Sequence, residues 1–89
     1  RWRIMMRKND EIDEQLVNVI KKCIPFIYEN KNIIEVDDIV GDLDIDSIAF
    51  MQLIIDIEEC FNIKFTLDHD FSSPLSYEKL KDFIIGLLE

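Results

Sequence analysis

The sequence contains only two cysteines and one histidine, which gives little support to a metal centre or a disulfide framework. Cys23 and Cys60 lie far apart, without CxxC spacing, so we expect both to be reduced and largely buried. A nucleophilic serine would need a general base, and the single histidine, His69, lies in a segment with nothing to mark a catalytic triad. We therefore expect neither a metal site nor enzymatic activity.

Basic residues are also few, because 10 lysines and arginines face 19 aspartates and glutamates, for a formal net charge of −9. This charge disfavours binding to nucleic acid and to anionic membrane surfaces. We expect instead that the partners are proteins with basic surfaces. Residues 35–70 contain eleven acids and Lys64 as the one lysine or arginine, so the functional face is expected in this acidic middle.

Long apolar runs are absent as well, and no stretch approaches the roughly 18 residues that a membrane span requires. The N-terminus lacks the apolar segment and cleavage site of a signal peptide, so we expect a cytoplasmic protein with no integral membrane segment. Residues 1–8 carry four bases and no acid. We expect residues 1–9 to be an added or disordered basic segment, and residues 10–89 to form one small, monomeric domain.

The spacing of apolar residues predicts an all-α domain, a small bundle of three longer helices and one short helix. A first helix is predicted from Asp10 to about Asn30, with a kink or early end near residues 21–25 because Pro25 removes an N–H donor. Residues 31–46 show no helical stripe and predict a long ordered loop. The expected buried face of the first helix comprises Ile12, Leu16, Val19, Ile20, Ile24 and Ile27.

A second helix is predicted from Ser47 to Phe61, and it is apolar nearly all round. Ile48, Met51 and Ile55 follow an i, i+3, i+7 course on one side, and we expect them to form an exposed strip beside the serine. The alternative is that this side is buried too. The expected core stripe on the other side comprises Phe50, Leu53, Ile54, Ile57 and Phe61.

The C-terminal part predicts a short helical turn around Leu67–Phe71 and a last helix from about Ser76 to Leu88. Ser76 suits an N-cap, and Pro74 helps to close the preceding helical turn. The expected buried stripe of the last helix comprises Tyr77, Leu80, Phe83, Ile84, Leu87 and Leu88.

The segment Asp42-Leu43-Asp44-Ile45-Asp46-Ser47-Ile48 places a serine behind three alternating carboxylates at a predicted helix start. A phosphate ester on Ser47 would lie beside unsatisfied N–H groups and the positive end of the helix dipole. Calcium binding is a rival, because the aspartates occupy positions 1, 3 and 5 of an EF-hand loop. Position 6 is Ser47 instead of glycine, however, and position 12 is Leu53 instead of glutamate. A second rival is that Ser47 is only an N-cap.

This segment resembles the attachment motif of the acyl carrier protein family, roughly Asp-Leu-Gly-x-Asp-Ser-Leu/Ile, which precedes a helix ending in Glu-Glu-x-Phe-x-Ile. Here the helix ends Glu58-Glu59-Cys60-Phe61-Asn62-Ile63, and the resemblance extends from about Asp10 to Leu88. It implies the acyl-carrier type of four-helix bundle, with 4′-phosphopantetheine from coenzyme A attached covalently to Ser47. The implied partners are a phosphopantetheinyl transferase and enzymes that load or use acyl or aminoacyl thioesters.

The resemblance also implies a surface for partner enzymes around the serine, with an apolar strip flanked by acids. The residues assigned to it are Asp46, Ile48, Met51, Ile55, Asp56 and Glu59. Of these, Asp46 would meet a basic rim on the transferase.

Three residues depart from the family pattern: Asp44, where glycine is usual, and Ala49 and Gln52, where fatty-acid carriers commonly have acids. Aspartate is among the residues that tolerate a positive φ, so we expect the turn at Asp44 to survive. The missing acids favour a specialised stand-alone carrier of a polyketide, nonribosomal-peptide, D-alanyl or related pathway over the housekeeping carrier of fatty-acid synthesis. A further alternative is a non-enzymatic adaptor that keeps the fold without the prosthetic group.

Overall fold

The structure is a computed structural model that describes residues 9–66, 68–72 and 74–88. This part of the chain contains four α-helices and no strand, as the apolar spacing predicts. Short 3-10 helices at Phe26–Tyr28 and Ile33–Glu35 lie between the first two of them. The α-helices are α1 (Asn9–Lys21), α2 (Ile39–Asp42), α3 (Ser47–Phe61) and α4 (Tyr77–Leu88).

None of the helices within these ranges is long and apolar enough to cross a membrane. Of the expected N-terminal segment of residues 1–9, residues 1–8 lie outside the described residues, whereas Asn9 is the first residue of α1. Leu67, at the start of the predicted short helical turn, also lies outside the described residues. That turn contains no helix over residues 68–72. Asp70 Oδ1 instead accepts hydrogen bonds from the Ser72 backbone N–H and hydroxyl, at 2.9 and 2.6 Å, and such local bonds compete with a helix. The short helix of the bundle is α2.

α1 ends early at Lys21, four residues before Pro25, as the proline predicts. Its buried face is confirmed at Ile12, Leu16, Val19 and Ile20, whereas Ile24 is only partly buried. The expectation for Ile27 is wrong, because its side chain is 80% exposed. Beyond Lys21 the chain no longer follows the helical period, so the spacing that would have buried Ile27 does not apply.

The long connection between α1 and α3 is fastened to the core and to the start of α4. The predicted loop holds the second 3-10 helix and α2, and its buried apolar residues are Ile33, Val36, Ile39, Leu43 and Ile45. The N–H of Ile39 donates to the Leu75 carbonyl (2.7 Å), and the N–H of Tyr77 donates to the Val36 carbonyl (3.1 Å). These two hydrogen bonds pair residues 36–39 with residues 75–77 and hold the connection in place.

A third bond in this pairing explains the glycine at position 41. The backbone N–H of Leu75 donates to Asp38 Oδ1 at 3.2 Å. A Cβ on Gly41 would lie 2.6 Å from Asp38 Oδ2, so with any larger residue the Asp38 carboxylate would have to shift.

α1, α3 and α4 enclose one hydrophobic core. Leu53, Ile57 and Phe61 of α3 are buried, and Phe50 and Ile54 are partly buried. Tyr77, Leu80 and Ile84 of α4 are buried, while Phe83, Leu87 and Leu88 are partly buried. α4 begins at Tyr77, one residue after the predicted start, because Ser76 is its N-cap: Ser76 Oγ accepts from the Lys79 N–H at 3.0 Å.

The two cysteines are free, and they differ in exposure. Cys23 is partly buried, and burial, with a smaller contribution from the Asp56 carboxylate, raises the pKa of its thiol. Cys60 is exposed, so the expectation that both cysteines are largely buried is wrong there. It lies beside Glu59 on the outer side of the last turn of α3, whereas Phe61 faces the core.

Aromatic rings pack together between α3 and α4. Phe71 makes edge-to-face contacts with Phe50, Phe65 and Phe83, with centroids 5.1 to 5.9 Å apart. The His69 ring lies 4.8 Å from that of Phe83 and is partly buried, as expected for a turn residue. These rings fill the space between the two helices near the first turn of α3.

Tyr77 is the largest fully buried side chain, and its hydroxyl donates to Asp13 Oδ1 at 2.5 Å. Asp13 Oδ1 also lies 3.0 Å from Lys81 Nζ. Burial, followed by the hydrogen bond to Asp13, raises the pKa of the Tyr77 phenol. This network ties α1 to α4.

We predict that the free energy of unfolding falls above about pH 10, because the unfolded chain then loses a phenol proton that the folded protein retains. The contribution of Tyr77 is fully present below the unfolded pKa and is lost as the pH rises toward the folded value. Urea denaturation between about pH 8 and about pH 11 measures this slope. The control is Tyr77→Phe, for which we expect a shallower slope. An unchanged slope in the variant would show that Tyr77 is not the group responsible.

Candidate functional site

Ser47 is the first residue of α3, and its side chain is exposed. The preceding residue, Asp46, is the N-cap: its Oδ1 accepts a 2.7 Å hydrogen bond from the Ala49 N–H. The alternative that Ser47 serves only as N-cap is therefore wrong. The serine hydroxyl lies at an exposed helix start whose cap is supplied by its neighbour.

The residues before Ser47 alternate between core and solvent. Leu43 and Ile45 are buried, with 0% and 3% of their surface exposed, while the carboxylates of Asp42, Asp44 and Asp46 face solvent. The Ile45 N–H also donates to the Val40 carbonyl at 3.1 Å. We call residues 42–46 the acidic loop. Its buried side chains fix the backbone, and its three exposed acidic residues precede the serine.

The carboxylates of the acidic loop have separate partners within the protein. Asp42 Oδ2 accepts from the Asp38 N–H at 3.3 Å, Asp44 Oδ2 accepts from the Tyr28 hydroxyl at 2.6 Å, and Asp46 caps α3. Within the described part of the chain, no group of three or more His, Cys, Asp or Glu side chains is placed to hold a metal ion. The geometry of this loop therefore gives the calcium alternative no support.

Asp44 occupies the position where the family motif has glycine, and its φ is 53°, in the left-handed region. The expectation that aspartate keeps this turn is confirmed. The hydrogen bond to the Asp44 carboxylate is the main cause that raises the pKa of the Tyr28 phenol, with burial and the carboxylate charge adding to it. Tyr28 lies sixteen residues away in sequence, and no sequence pattern marks it as part of the site.

The exposed strip that the spacing predicts is present on α3. Ile48, Met51 and Ile55 are 81%, 66% and 45% exposed, so the alternative that this side is buried is wrong. The strip ends at a shallow depression between the last turns of α3 and the following segment. The depression is lined by Ile55, Glu58, Glu59, Asn62, Ile63 and Lys64.

The two acids assigned to this surface, Asp56 and Glu59, also belong to α3. Asp56 is partly buried, and its Oδ1 accepts from Gln52 Nε2 at 2.9 Å. Glu59 is exposed at the far end. At 1.5 Å per residue, the thirteen residue steps from Asp46 to Glu59 extend over roughly 20 Å of the helix axis. The six predicted surface residues thus lie along one helix and its cap.

The model of the phosphopantetheine attachment site family matches residues 15–83, from α1 to α4. The chain belongs to this family. No curated protein and no solved structure matches the chain. The family carries 4′-phosphopantetheine covalently, and its members are non-enzymatic carriers of pantetheine-linked intermediates that interact with a phosphopantetheinyl transferase and with partner enzymes. The expectations of an acyl-carrier fold, of this prosthetic group and of a protein that is not an enzyme are confirmed.

The residues at the start of α3 fit this prosthetic group. The Ser47 side chain is exposed, and the first N–H groups of a helix favour the negative charge of a phosphodiester. The neighbouring Ile48 and Met51 are exposed as well, so bulky groups have access to the hydroxyl from the side of the strip.

We predict that Asp46→Ala lowers the free energy of unfolding by about 1 kcal/mol, because the cap of α3 is lost. Asp46→Asn should cost only a few tenths of that value, since asparagine caps nearly as well. Urea denaturation of both variants measures the difference. Equal losses in the two variants would mean that the charge of Asp46, and not its capping oxygen, stabilises the helix.

Proposed function

We propose that this protein carries acyl or aminoacyl intermediates as thioesters on a 4′-phosphopantetheine arm attached to Ser47. The observation that carries this proposal is the exposed serine at the first position of α3, behind a cap that Asp46 provides. Two other described serines are engaged elsewhere: Ser72 donates its hydroxyl to Asp70, and Ser76 caps α4.

The chemistry of the site follows from its position at the helix start. The Ser47 oxygen forms the new bond to the phosphorus next to pantetheine in coenzyme A, the pyrophosphate P–O bond breaks, and adenosine 3′,5′-bisphosphate and the serine proton leave. The terminal thiol of the attached arm would then supply the sulfur for thioesters. The helix dipole favours the phosphodiester by about 0.3 to 1 kcal/mol, similar to the thermal energy of about 0.6 kcal/mol. The carboxylates of Asp44 and Asp46 oppose it. The net electrostatic effect is therefore too small to pin the arm against the protein, which suits a group that must visit several enzymes.

We further propose that partner enzymes dock on the exposed strip Ile48, Met51 and Ile55. Covering these side chains would remove apolar surface from water, which supplies affinity. Asp46, Asp56 and Glu59 would meet basic residues of the partner and speed the encounter more than they tighten the complex. Association should therefore weaken as salt is added.

The proposal for the pathway rests on two residues of α3, Ala49 and Gln52, that differ from the family pattern. Ala49 is partly buried, and Gln52 is exposed with its amide bonded to Asp56, so neither supplies the negative charge that fatty-acid carriers commonly have there. This difference favours a carrier of a specialised pathway, such as polyketide, nonribosomal-peptide or D-alanyl transfer, over the housekeeping fatty-acid carrier. The cytoplasmic location, the monomeric state and the domain limits of 10–89 stay predictions.

We predict that coenzyme A and a broad-specificity phosphopantetheinyl transferase add one phosphopantetheine to the wild-type protein and none to Ser47→Ala. Intact-mass spectrometry measures the gain, and circular dichroism checks that the variant is folded. A gain of the same mass in Ser47→Ala would place the attachment elsewhere. No gain in either protein, with several transferases tried, would contradict the proposed carrier function.

We predict that Ile48→Ser lowers kcat/KM for this modification about tenfold, because part of the apolar contact with the transferase is lost. The matched control is Ile34→Ser. Ile34 is also exposed, but on the side formed by α1 and α4, so its replacement should leave the rate unchanged. Equal effects of the two substitutions would contradict a docking role for the strip.

A further inference from the structure

One hydrogen bond joins the acidic loop to a distant part of the connection. The Tyr28 hydroxyl donates to Asp44 Oδ2 at 2.6 Å, across sixteen residues of sequence. Tyr28 ends the 3-10 helix Phe26–Tyr28, and Asp44 lies three residues before Ser47. The bond therefore fastens the turn that leads into α3.

The backbone of Asp44 is in a conformation that needs support. Its φ of 53° lies in the left-handed region, which glycine adopts freely and residues with a Cβ adopt at a cost. The Asp44 side chain is exposed, so it would otherwise be free to rotate in solvent. The bond to Tyr28 favours one orientation of the carboxylate and with it the left-handed turn.

Packing and backbone hydrogen bonds fix the position of Tyr28, so its hydroxyl can orient Asp44. Its side chain is partly buried and packs against the hydrophobic core. Its backbone N–H donates to the Pro25 carbonyl, and its carbonyl accepts from the Lys31 N–H, each at 3.0 Å. The tyrosine thus gives Asp44 a fixed point of attachment on the core.

We propose that Tyr28 is a positioning residue for the modification of Ser47. Its hydroxyl holds Asp44 in the left-handed turn, and this turn sets the direction in which Ile45, Asp46 and Ser47 enter α3. Where the family has glycine, the residue adopts the left-handed conformation freely. In this protein the hydrogen bond between Tyr28 and Asp44 stabilises that conformation instead. Leu43 and Ile45 are buried and should keep the loop on the core when this bond is lost, so its loss should loosen the loop without unfolding the domain. The proposal rests on attachment at Ser47.

The test compares Tyr28→Phe in two backgrounds, the wild-type protein and Asp44→Gly. We measure kcat and KM for phosphopantetheinylation by the same transferase. In the wild-type background we expect Tyr28→Phe to lower kcat/KM about two- to tenfold, the range that one net hydrogen bond is worth. In the Asp44→Gly background the same substitution should have no effect, because there is no carboxylate to hold. An equal effect in both backgrounds, or none in the wild-type background, would overturn the proposal.

Asp44→Asn is the conservative variant for this comparison. Asparagine tolerates the left-handed region and keeps an oxygen that accepts from Tyr28, so we expect most of the wild-type rate. Asp44→Ala loses both properties and should be the slowest of the single variants. If Asn and Ala at this position are equally slow, the charge of Asp44 matters to the transferase and the positioning role is wrong.

Backbone amide hydrogen exchange at Asp46, Ser47 and Ile48 gives a readout without the transferase. Tyr28→Phe should speed exchange there in the wild-type background and leave it unchanged in Asp44→Gly. Unchanged exchange in both backgrounds would overturn the positioning role while leaving the carrier function intact. Failure of the transferase to modify the wild-type protein would instead contradict the carrier function, and the proposal for Tyr28 would fall with it.

Discussion

The presentation of Ser47 depends on the burial of Leu43 and Ile45. These two side chains anchor a five-residue acidic loop that would otherwise be solvated, because its three carboxylates all face water. Fully burying an aliphatic side chain of this size is worth about 1.5 to 3 kcal/mol, more than the roughly 1 kcal/mol of the Asp46 cap. Burial of Leu43 and Ile45 therefore fixes the position of the loop. The Asp46 cap and the Tyr28–Asp44 hydrogen bond contribute less and influence the direction in which the chain enters α3. The serine is held at a defined place while its hydroxyl stays exposed.

The part of the α1–α3 connection that precedes the acidic loop is also held in place. Backbone hydrogen bonds between residues 36–39 and 75–77 join the segment before α2 to the start of α4. Gly41 leaves room for the Asp38 carboxylate that completes this pairing. A long loop in so small a domain thereby becomes part of the core, while the strip of Ile48, Met51 and Ile55 on α3 stays exposed.

The sequence predicted the helices and the exposed strip because both follow from the spacing of apolar residues. Pro25 predicted the early end of α1, and the positive φ at Asp44 followed from the family position of that residue. The errors have separate local causes, and at residues 68–72 hydrogen bonds from Ser72 to the Asp70 carboxylate take the place of the predicted short helix. Ile27 is exposed because α1 has already ended, Cys60 is exposed because it lies on the outer side of the last turn, and the short helix is α2 because its apolar residues reach the core. Tyr28 was missed because a contact across sixteen residues leaves no local pattern.

The most direct test of attachment at Ser47 is a tryptic peptide map of the protein after treatment with the transferase and coenzyme A. Trypsin cleaves after Lys31 and Lys64, and the peptide of residues 32–64 contains Ser47 as its one serine and no threonine. Ser72, Ser73 and Ser76 fall in the peptide of residues 65–79. We predict that phosphopantetheine is found on the peptide of residues 32–64 and that fragmentation places it on Ser47. Phosphopantetheine on the peptide of residues 65–79 would contradict the account.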